Sequence, residues 1–340
     1  MNSRIAQYLR SSSLYQRYAQ AWINDMRYAL RNLRLYFTEY QNGNAIHPAG
    51  KKLFFILDPK QKHPGFADRL KVFCCLHRIA QHSGMEIKLV LDEKFPLERY
   101  LEPANTDWRA SWTDLSHCQS EVKLTAYNGG KHKLPVIRTD KPQTHIYNYI
   151  GLDIIRRTEG EQWRNVWKRH FDQMFKPTEY LQSLLSQYAQ NEPYTACHIR
   201  FVNALDHLED GYYNELTADD QQKLIDKCLA ALTDIRQQEK RPLLIFSDSE
   251  RFLNAAKEHG FDRIEGGKIG HVSFCSEAME KTVIDFFMLE ILLNKIGNHL
   301  ITLFIVFIQR DIYRPFYFFP FLFVLCYSKV KYNLRFYVWT

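Results

Sequence analysis

The chain has 340 residues, enough for two domains of ordinary size, and its hydrophobic fraction of 46% and charged fraction of 24% are typical of a globular protein. Its net charge of +7 is concentrated at the two ends, before Lys51 and after Asn298, so the body between them is close to neutral. A near-neutral body argues against a dedicated nucleic-acid-binding protein, which would carry a basic stripe across its fold.

Residues 1–48 are predicted to form a basic amphipathic helical arm. Arginines occupy one side of this helix, and large apolar residues run down the other: Ile5, Leu9, Leu14, Tyr18, Trp22, Met26, Leu30, Leu33 and Phe37. Two interpretations are open. The helix packs on its own domain, or it lies on an anionic membrane surface.

A first α/β domain is predicted over residues 49–177, and Leu53–Leu57 form its opening buried strand. A loop ending in Pro64-Gly65 leads into an amphipathic helix that begins near Phe66. The N-terminus of such a helix can receive an anion. Further strands are predicted at 85–91, 122–126 and 134–138, and helices at 147–157 and 163–175.

A second α/β domain is predicted over residues 178–296. Its expected strands are 194–201, 242–246 and 263–265, and its expected helices are 218–237, 250–259 and 277–296. Alternating strands and helices favour parallel, doubly wound sheets, in which ligands bind at the carboxyl ends of strands. The chemistry is therefore expected in residues 64–68, 198–206 and 247–250.

Three stretches resemble the fucosyltransferase superfamily that includes the α1,6-fucosyltransferases, the nodulation fucosyltransferases and the protein O-fucosyltransferases. Gly65-Phe66-Ala67-Asp68-Arg69-Leu70 is similar to the family's G-F-G-D-R/Q-L loop. His198-Ile199-Arg200 is similar to its H-x-R motif. Phe246-Ser247-Asp248-Ser249 is similar to its S/T-D-D strand end, and the helix containing 280–287 is similar to the helix before its last motif. Together these stretches span roughly residues 51–290.

This resemblance implies two Rossmann-like domains facing a cleft (the GT-B arrangement), a GDP-fucose donor, and neither cofactor nor metal. The residues it implies as catalytic are Arg200 and Asp68, and those it implies as donor-binding are Gly65, Phe66, Arg69, His198, Arg200 and Asp248. A permanently charged arginine suits a metal-free site, because the departing pyrophosphate must be neutralised. Asp248 can select guanine through two hydrogen bonds.

Each of these residues also has a structural interpretation. His198 can be a core histidine, Asp68 can favour a helix N-terminus, and Arg200 can form an ion pair with Asp206 or Glu209. Ser247 or Asp248 can cap the helix that follows. The general base is left open among Asp68, Asp206, Glu209 and Asp210, because geometry must choose it.

The sequence departs from the family pattern at several positions. Ala67 replaces the loop's middle glycine, and Phe201 and Asn203 replace the second arginine and the aspartate that follow H-x-R. The family ends with a strand and a serine-rich loop that binds phosphate. No paired serines follow Phe287 here, so the second domain is expected to be incomplete. The leading hypothesis is therefore an inverting fucosyltransferase acting on a glycan acceptor. The alternatives are a non-catalytic remnant that binds a nucleotide or a partner, and a membrane-associated interaction protein.

The tail, residues 297–340, differs in composition from the rest of the chain. From Asn298 onward it has no Ala, Gly, Glu or Met, and its two apolar runs are too short for a membrane helix. A frameshifted or recombined end is the first hypothesis, a membrane-surface hairpin the second and a buried strand pair the third. Peripheral membrane contact is expected through residues 1–40 and 300–327.

The expected location is the cytoplasm, with peripheral contact on the inner face of the membrane. The seven cysteines form no CxxC pair and no clustered Cys/His spacing, which predicts reduced thiols and no zinc site. Residues 1–13 are polar and lack the apolar region of a signal peptide.

Overall fold

The structure is a computed structural model, which describes residues 20–40, 45–46, 49–61, 63–151, 153–188, 194–201, 204–206, 216–264, 267–270 and 277–295. For residues 20, 21 and 290–295 only the backbone is described. The chain divides into two compact units, and the second begins at Glu179, one residue after the domain start expected from the sequence. The tail, with its two apolar runs, lies outside the described residues.

The first unit is built on a five-stranded sheet in the order β4-β2-β1-β6-β5, in which all neighbouring strands are parallel. Its strands are β1 (Lys52–Ile56), β2 (Glu86–Val90), β4 (Arg109–Ala110), β5 (Val122–Asn128) and β6 (Gln143–Ile150). A separate antiparallel pair joins β3 (Leu101–Pro103) to β7 (Phe175–Pro177).

The first unit has four described helices, one before β1 and three between strands along the chain. They are α1 (Gln20–Thr38), α2 (Phe66–His82), α3 (Ile154–Thr158) and α4 (Trp163–Met174), with short 3-10 turns at Leu97–Arg99, Trp112–Asp114 and Gly160–Gln162.

Strand β1 is buried on both faces of the sheet. Successive strand residues point to opposite faces, and Phe54 packs against the Tyr40 cluster while Phe55 meets Phe73 of α2. All five residues from Leu53 to Leu57 are at most 1% exposed. A continuous apolar run with helices on both sides is what a central parallel strand requires.

Helix α1 is attached to the sheet by the side that carries Tyr28, Asn32 and Tyr36. The Tyr28 hydroxyl donates to the carbonyl of Tyr149 at 2.9 Å, and the Asn148 amide donates to Asn32 Oδ1 at 2.6 Å. The Tyr36 hydroxyl donates to the Val122 carbonyl of β5 and accepts from the Leu124 N–H. The apolar side of α1 is left exposed.

One strand was misplaced by the sequence pattern. Residues 134–138 form no strand, whereas Gln143–Ile150, whose second half had been taken as the start of a helix, is β6. Its β-branched and aromatic residues favour a strand. Its first six residues are all buried, as in a strand that is covered on both faces of the sheet. The helix begins later, at Ile154, where the Asp153 side chain accepts a hydrogen bond from the Arg156 N–H.

The second unit contains a parallel three-stranded sheet in the order β10-β9-β8. Its elements are α5 (Glu179–Tyr188), β8 (Thr195–Ile199), α6 (Ala218–Gln238), β9 (Leu243–Ser247), α7 (Glu250–Glu258), β10 (Asp262–Arg263) and α8 (Glu277–Lys295). The mixed α/β class with parallel sheets, expected from the sequence, is thus confirmed.

Candidate functional site

Two of the predicted site residues meet at the carboxyl edge of the second unit's sheet. Strands β8 and β9 are parallel, and their last pair in register is Ile199 with Ser247. Arg200 and Asp248 are the next residues on each strand, and Arg200 Nε lies 3.5 Å from Asp248 Oδ2. The H-x-R motif and the S-D-S motif are therefore neighbours in the fold.

Asp248 is held in one orientation by the backbone of the other strand. Its Oδ1 accepts a hydrogen bond from the Phe201 N–H at 2.7 Å. This carboxylate therefore joins the ends of β8 and β9. Arg200 remains half exposed, so its guanidinium can bind an anion from solvent while one edge stays near Asp248.

The helix cap expected at Ser247 or Asp248 is provided by the next residue. The Ser249 hydroxyl accepts from the Phe252 N–H at 3.1 Å and caps α7. Ser247 instead accepts from the Ser249 N–H. Since neither Ser247 nor Asp248 is the cap, the capping interpretation was wrong, and the Asp248 carboxylate is engaged by β8.

Arg200 forms an ion pair with a carboxylate that was not among the expected partners. Asp206 and Glu209 were the anticipated partners, yet parallel register brings Asp248 beside Arg200. Glu209, Asp210 and Asn203 lie outside the described residues. Within the part of the chain that is described, the buried Oδ2 of Asp206 has no hydrogen-bond partner.

His198 is a neutral histidine on β8. Burial, with smaller contributions from Arg200 and Lys281, lowers its pKa to about 3. Its Nδ1 is buried and accepts or donates no hydrogen bond among the described residues. At neutral pH the ring can therefore contribute one hydrogen bond to a ligand, but no positive charge.

A buried ion pair on α8 lies close enough to His198 to affect its titration. Lys281 is 5% exposed, and its Nζ contacts Asp285 Oδ1 one turn further along the helix. Burial raises the pKa of Asp285, and the Lys281 charge opposes that rise. Sequence reasoning placed Lys281 in a motif without giving it a role. Its spacing of four residues from Asp285 was the available signal.

The glycine loop of the first unit leads into α2. Gly65 precedes the helix with extended backbone at φ −62°, and a Cβ there would meet nothing within 4 Å. Phe66 is 2% exposed and contacts the Phe95 ring. Phe66 therefore belongs to the core, while Gly65 leaves open space before the helix.

Arg69 and Asp68 are both engaged within the same unit. Arg69 is 2% exposed, its Nε donates to the Pro64 carbonyl at 2.8 Å, and its guanidinium covers the Phe95 ring. Burial lowers its pKa to about 10. Asp68 Oδ1 lies 2.6 Å from Lys71 Nζ. Arg69 thus fixes the loop, and Asp68 starts the helix as half of an ion pair.

A cavity of about 420 Å³ lies between α1 and β5, and none of the predicted site residues lines it. Among the described side chains, no group of three or more His, Cys, Asp or Glu could hold a metal ion. In the described part of the chain, no helix combines the length and the apolar character needed to cross a bilayer.

The chain was compared with known proteins. No family model matches the sequence, and no curated protein matches it. Among solved structures, fucosyltransferase NodZ from Bradyrhizobium is 9% identical over 72% of this chain and 86% of its own, with a TM-score of 0.46. A NodZ α-1,6-fucosyltransferase soaked with GDP-fucose gives 10% identity over 71% of this chain and 86% of its own, with a TM-score of 0.45.

A mutant of Arabidopsis thaliana FUT1 in complex with GDP is 11% identical over 76% of this chain and 68% of its own, with a TM-score of 0.41. The two NodZ proteins are fucosyltransferases by name. At these identities and TM-scores the likeness is distant.

Proposed function

We propose that the chain is a glycosyltransferase that transfers fucose from GDP-fucose to a glycan acceptor, with inversion and without a metal. One observation carries the proposal: Arg200 and Asp248 stand side by side at the carboxyl ends of two parallel strands. Ligands of open α/β sheets bind at such edges. The proposal includes a GT-B-like pair of domains, the second of them incomplete.

The donor chemistry follows from the charges at this edge. Breaking the bond between the sugar and the diphosphate leaves negative charge on the pyrophosphate, and a fixed cation stabilises it. Arg200 is half exposed and supplies a planar fork of N–H donors. The Asp248 carboxylate accepts the Phe201 N–H through one oxygen, and we assign recognition of the guanine edge to the same carboxylate.

The acceptor hydroxyl attacks the anomeric carbon directly, GDP leaves, and a carboxylate takes the hydroxyl proton. Two carboxylates from the original candidates are described. Asp68 is paired with Lys71, whereas Asp206 has a buried oxygen without a hydrogen-bond partner among the described residues. Asp68 is the proposed catalytic carboxylate, and Asp206 is the alternative candidate for the same role.

The second candidate function is a non-catalytic, nucleotide-binding remnant. It is favoured by the sequence after Phe287, where Ser328 is the only serine and no phosphate-binding serine pair occurs. Both functions use the same strand edge, so nucleotide binding does not separate them. Release of GDP in the presence of acceptor glycans does.

We also place the protein in the cytoplasm. The described cysteines, namely Cys74, Cys75, Cys118, Cys197 and Cys228, are all free thiols, as expected in a reducing compartment. Peripheral attachment to the inner face of the membrane is part of the same proposal. The tail segment 300–327, one of its two expected contacts, lies outside the described residues.

The test is calorimetric titration of the full chain with GDP-fucose, with UDP-glucose as the competing donor. We expect selective GDP-fucose binding that Arg200→Ala weakens about 100-fold, because a charge-assisted contact to phosphate is lost. The matched control is Lys240→Ala. Lys240 is exposed and lies between α6 and β9, at the opposite edge of the sheet.

Equal binding of both nucleotides, or equal losses in the two variants, would contradict the assignment of the site. A folded chain that binds GDP-fucose but releases no GDP with any glycan acceptor would favour the non-catalytic remnant. Folding of each variant is checked by circular dichroism.

A further inference from the structure

Helix α1 carries an exposed apolar stripe. Its five members are 44–64% exposed, and they are Trp22, Met26, Leu30, Leu33 and Phe37. At 3.6 residues per turn they fall within roughly 80° of arc and extend about 22 Å along the helix. Large apolar side chains grouped on a surface in this way mark an interaction site.

The exposure of the stripe is not explained by loose packing of α1 on its domain, because another side of the helix is bonded to the sheet. Tyr28, Asn32 and Tyr36 form hydrogen bonds of 2.6–3.0 Å with β5 and β6. These residues project roughly 120° away from the centre of the stripe. The attachment therefore fixes which face of α1 points outward.

Three arginines border the stripe on the side away from the sheet. Arg27, Arg31 and Arg34 are exposed and lie about 80–140° around the helix from the stripe's centre. Asp25 is the one acidic residue within α1, and it contacts Asn128 on the sheet side. The outward surface of α1 therefore has two adjacent rows along the helix axis, one apolar (the stripe) and one positively charged (the three arginines).

This charge pattern decides between two occupants. If two copies of the chain paired through Met26, Leu30, Leu33 and Phe37 as a coiled coil, Arg27 and Arg34 would occupy the flanking charged positions, with no acidic residue of α1 opposite them. Self-association would therefore leave these arginines without an opposite charge on the partner helix. In an anionic bilayer the stripe can insert at the boundary between headgroups and acyl chains, and the arginines can bind the negative headgroups.

We propose that α1 is a membrane-docking helix, which lies in the plane of an anionic bilayer with Trp22, Met26, Leu30, Leu33 and Phe37 inserted and Arg27, Arg31 and Arg34 at the headgroups. This proposal rests on the peripheral attachment proposed above and names the helix that makes it, and it does not depend on the transfer of fucose. It places the first unit against the membrane by the face that carries α1.

The test is flotation of the full chain with vesicles of phosphatidylcholine alone or of a roughly three-to-one mixture of phosphatidylcholine and phosphatidylserine. We expect binding to the mixed vesicles only. Replacing Arg27, Arg31 and Arg34 by Gln should weaken the partition coefficient about 100-fold, since each basic residue near the surface contributes about a factor of five. The control replaces Lys60, Lys94 and Lys133 by Gln, which removes three positive charges from exposed positions elsewhere. This control should change the partition coefficient little.

A second pair of variants tests the apolar stripe. Trp22→Ser with Leu30→Ser should reduce binding at least tenfold. The control is Trp112→Ser with Val136→Ser, which removes two exposed apolar side chains of the same unit. Because all four positions are exposed, unfolding temperatures should stay close to that of the unaltered chain.

Binding that ignores phosphatidylserine, or that survives both sets of α1 substitutions, would overturn the proposal. So would failure of the unaltered chain to bind either vesicle. A dimer in size-exclusion chromatography that dissociates in the Trp22→Ser, Leu30→Ser variant would assign the stripe to self-association instead.

Discussion

At the scale of single residues, Gly267 lies close against α8 at the buried Lys281. Gly267 has φ +77°, and a Cβ at this position would come within 2.8 Å of Lys281 Cβ and 3.3 Å of its Cα. Only glycine tolerates both the backbone angle and the close approach.

We expect Gly267→Ala to lower the free energy of unfolding by more than Gly260→Ala does. Gly260 also has a positive φ, of +74°, but a Cβ there meets only the end of the Arg236 side chain at 3.8 Å. The two variants should differ in free energy of unfolding by roughly 1–3 kcal/mol, which is the cost of the steric clash at Gly267. Urea denaturation measures it, and equal losses would contradict the close packing of Gly267 on α8.

Two buried histidines of the first unit make the fold sensitive to acid. His77 Nδ1 and His170 Nδ1 are 3.1 Å apart. Burial lowers the pKa of His77 to about 4, and burial together with the charge of His77 and nearby arginines lowers that of His170 to about 3. The folded state therefore keeps both rings neutral at pH values where the unfolded chain protonates them.

The free energy of unfolding should consequently stay level above pH 6.5 and fall as the pH drops from 6.5 toward 4. Each excess proton bound by the unfolded chain adds a slope of about 1.4 kcal/mol per pH unit. His170→Leu should reduce this slope, whereas His132→Leu, at an exposed position, should not. Denaturation at stepped pH measures it, and identical slopes would refute the assignment.

At the scale of elements, α6 begins with a cap that is entirely local. The Thr217 hydroxyl accepts from the Asp220 N–H at 3.2 Å and lies 2.8 Å from Asp220 Oδ2. Thr217→Ala should lower the free energy of unfolding by about 1 kcal/mol, and Thr217→Ser should recover most of it. If the serine variant were no more stable than the alanine variant in urea, the hydroxyl would not be the stabilising group.

Local patterns of this kind are what the sequence could predict. The buried run Leu53–Leu57, the start of α6 and the strand before Asp248 were all readable from short-range spacing. Strand β6 was misread because its aromatic residues also fit helical spacing, and its pairing with β1 and β5 is a long-range choice. Pairing with these distant strands, which short-range spacing does not reveal, makes residues 143–150 a strand.

The same limit explains the candidate site. The sequence identified Arg200 and Asp248 separately, but the bond from the Phe201 N–H to Asp248 joins residues 47 positions apart. It also assigned Arg69 to the donor, whereas the structure has its side chain bonded to Pro64 and stacked on Phe95. Side-chain direction depends on packing, which residue spacing alone does not specify.

At the scale of the whole molecule, nucleotide binding should stabilise the second unit. A ligand at 100 times its dissociation constant adds about 2.7 kcal/mol to the free energy of unfolding. We expect GDP, but not UDP, to slow amide exchange in β8, β9 and α6, with no change when EDTA is present. Hydrogen exchange read by mass spectrometry reports each unit by itself.

Loss of this protection in EDTA and its return with Mg²⁺ would show that the nucleotide is held through a metal, against the proposed mechanism. Protection by UDP as strong as that by GDP would remove the guanine selectivity assigned to Asp248. Lys240→Ala serves again as the unaffected reference variant.

The position of the Tyr36 hydroxyl has a consequence for colloidal behaviour. Strand β5 is one of the two edge strands of its sheet, and the Tyr36 hydroxyl bonds both the Val122 carbonyl and the Leu124 N–H. Those are the backbone groups through which an edge strand recruits a strand from another molecule. Helix α1 thus shields the first unit from edge-to-edge aggregation, and a chain shortened to begin after Thr38 should precipitate as intermolecular β-sheet.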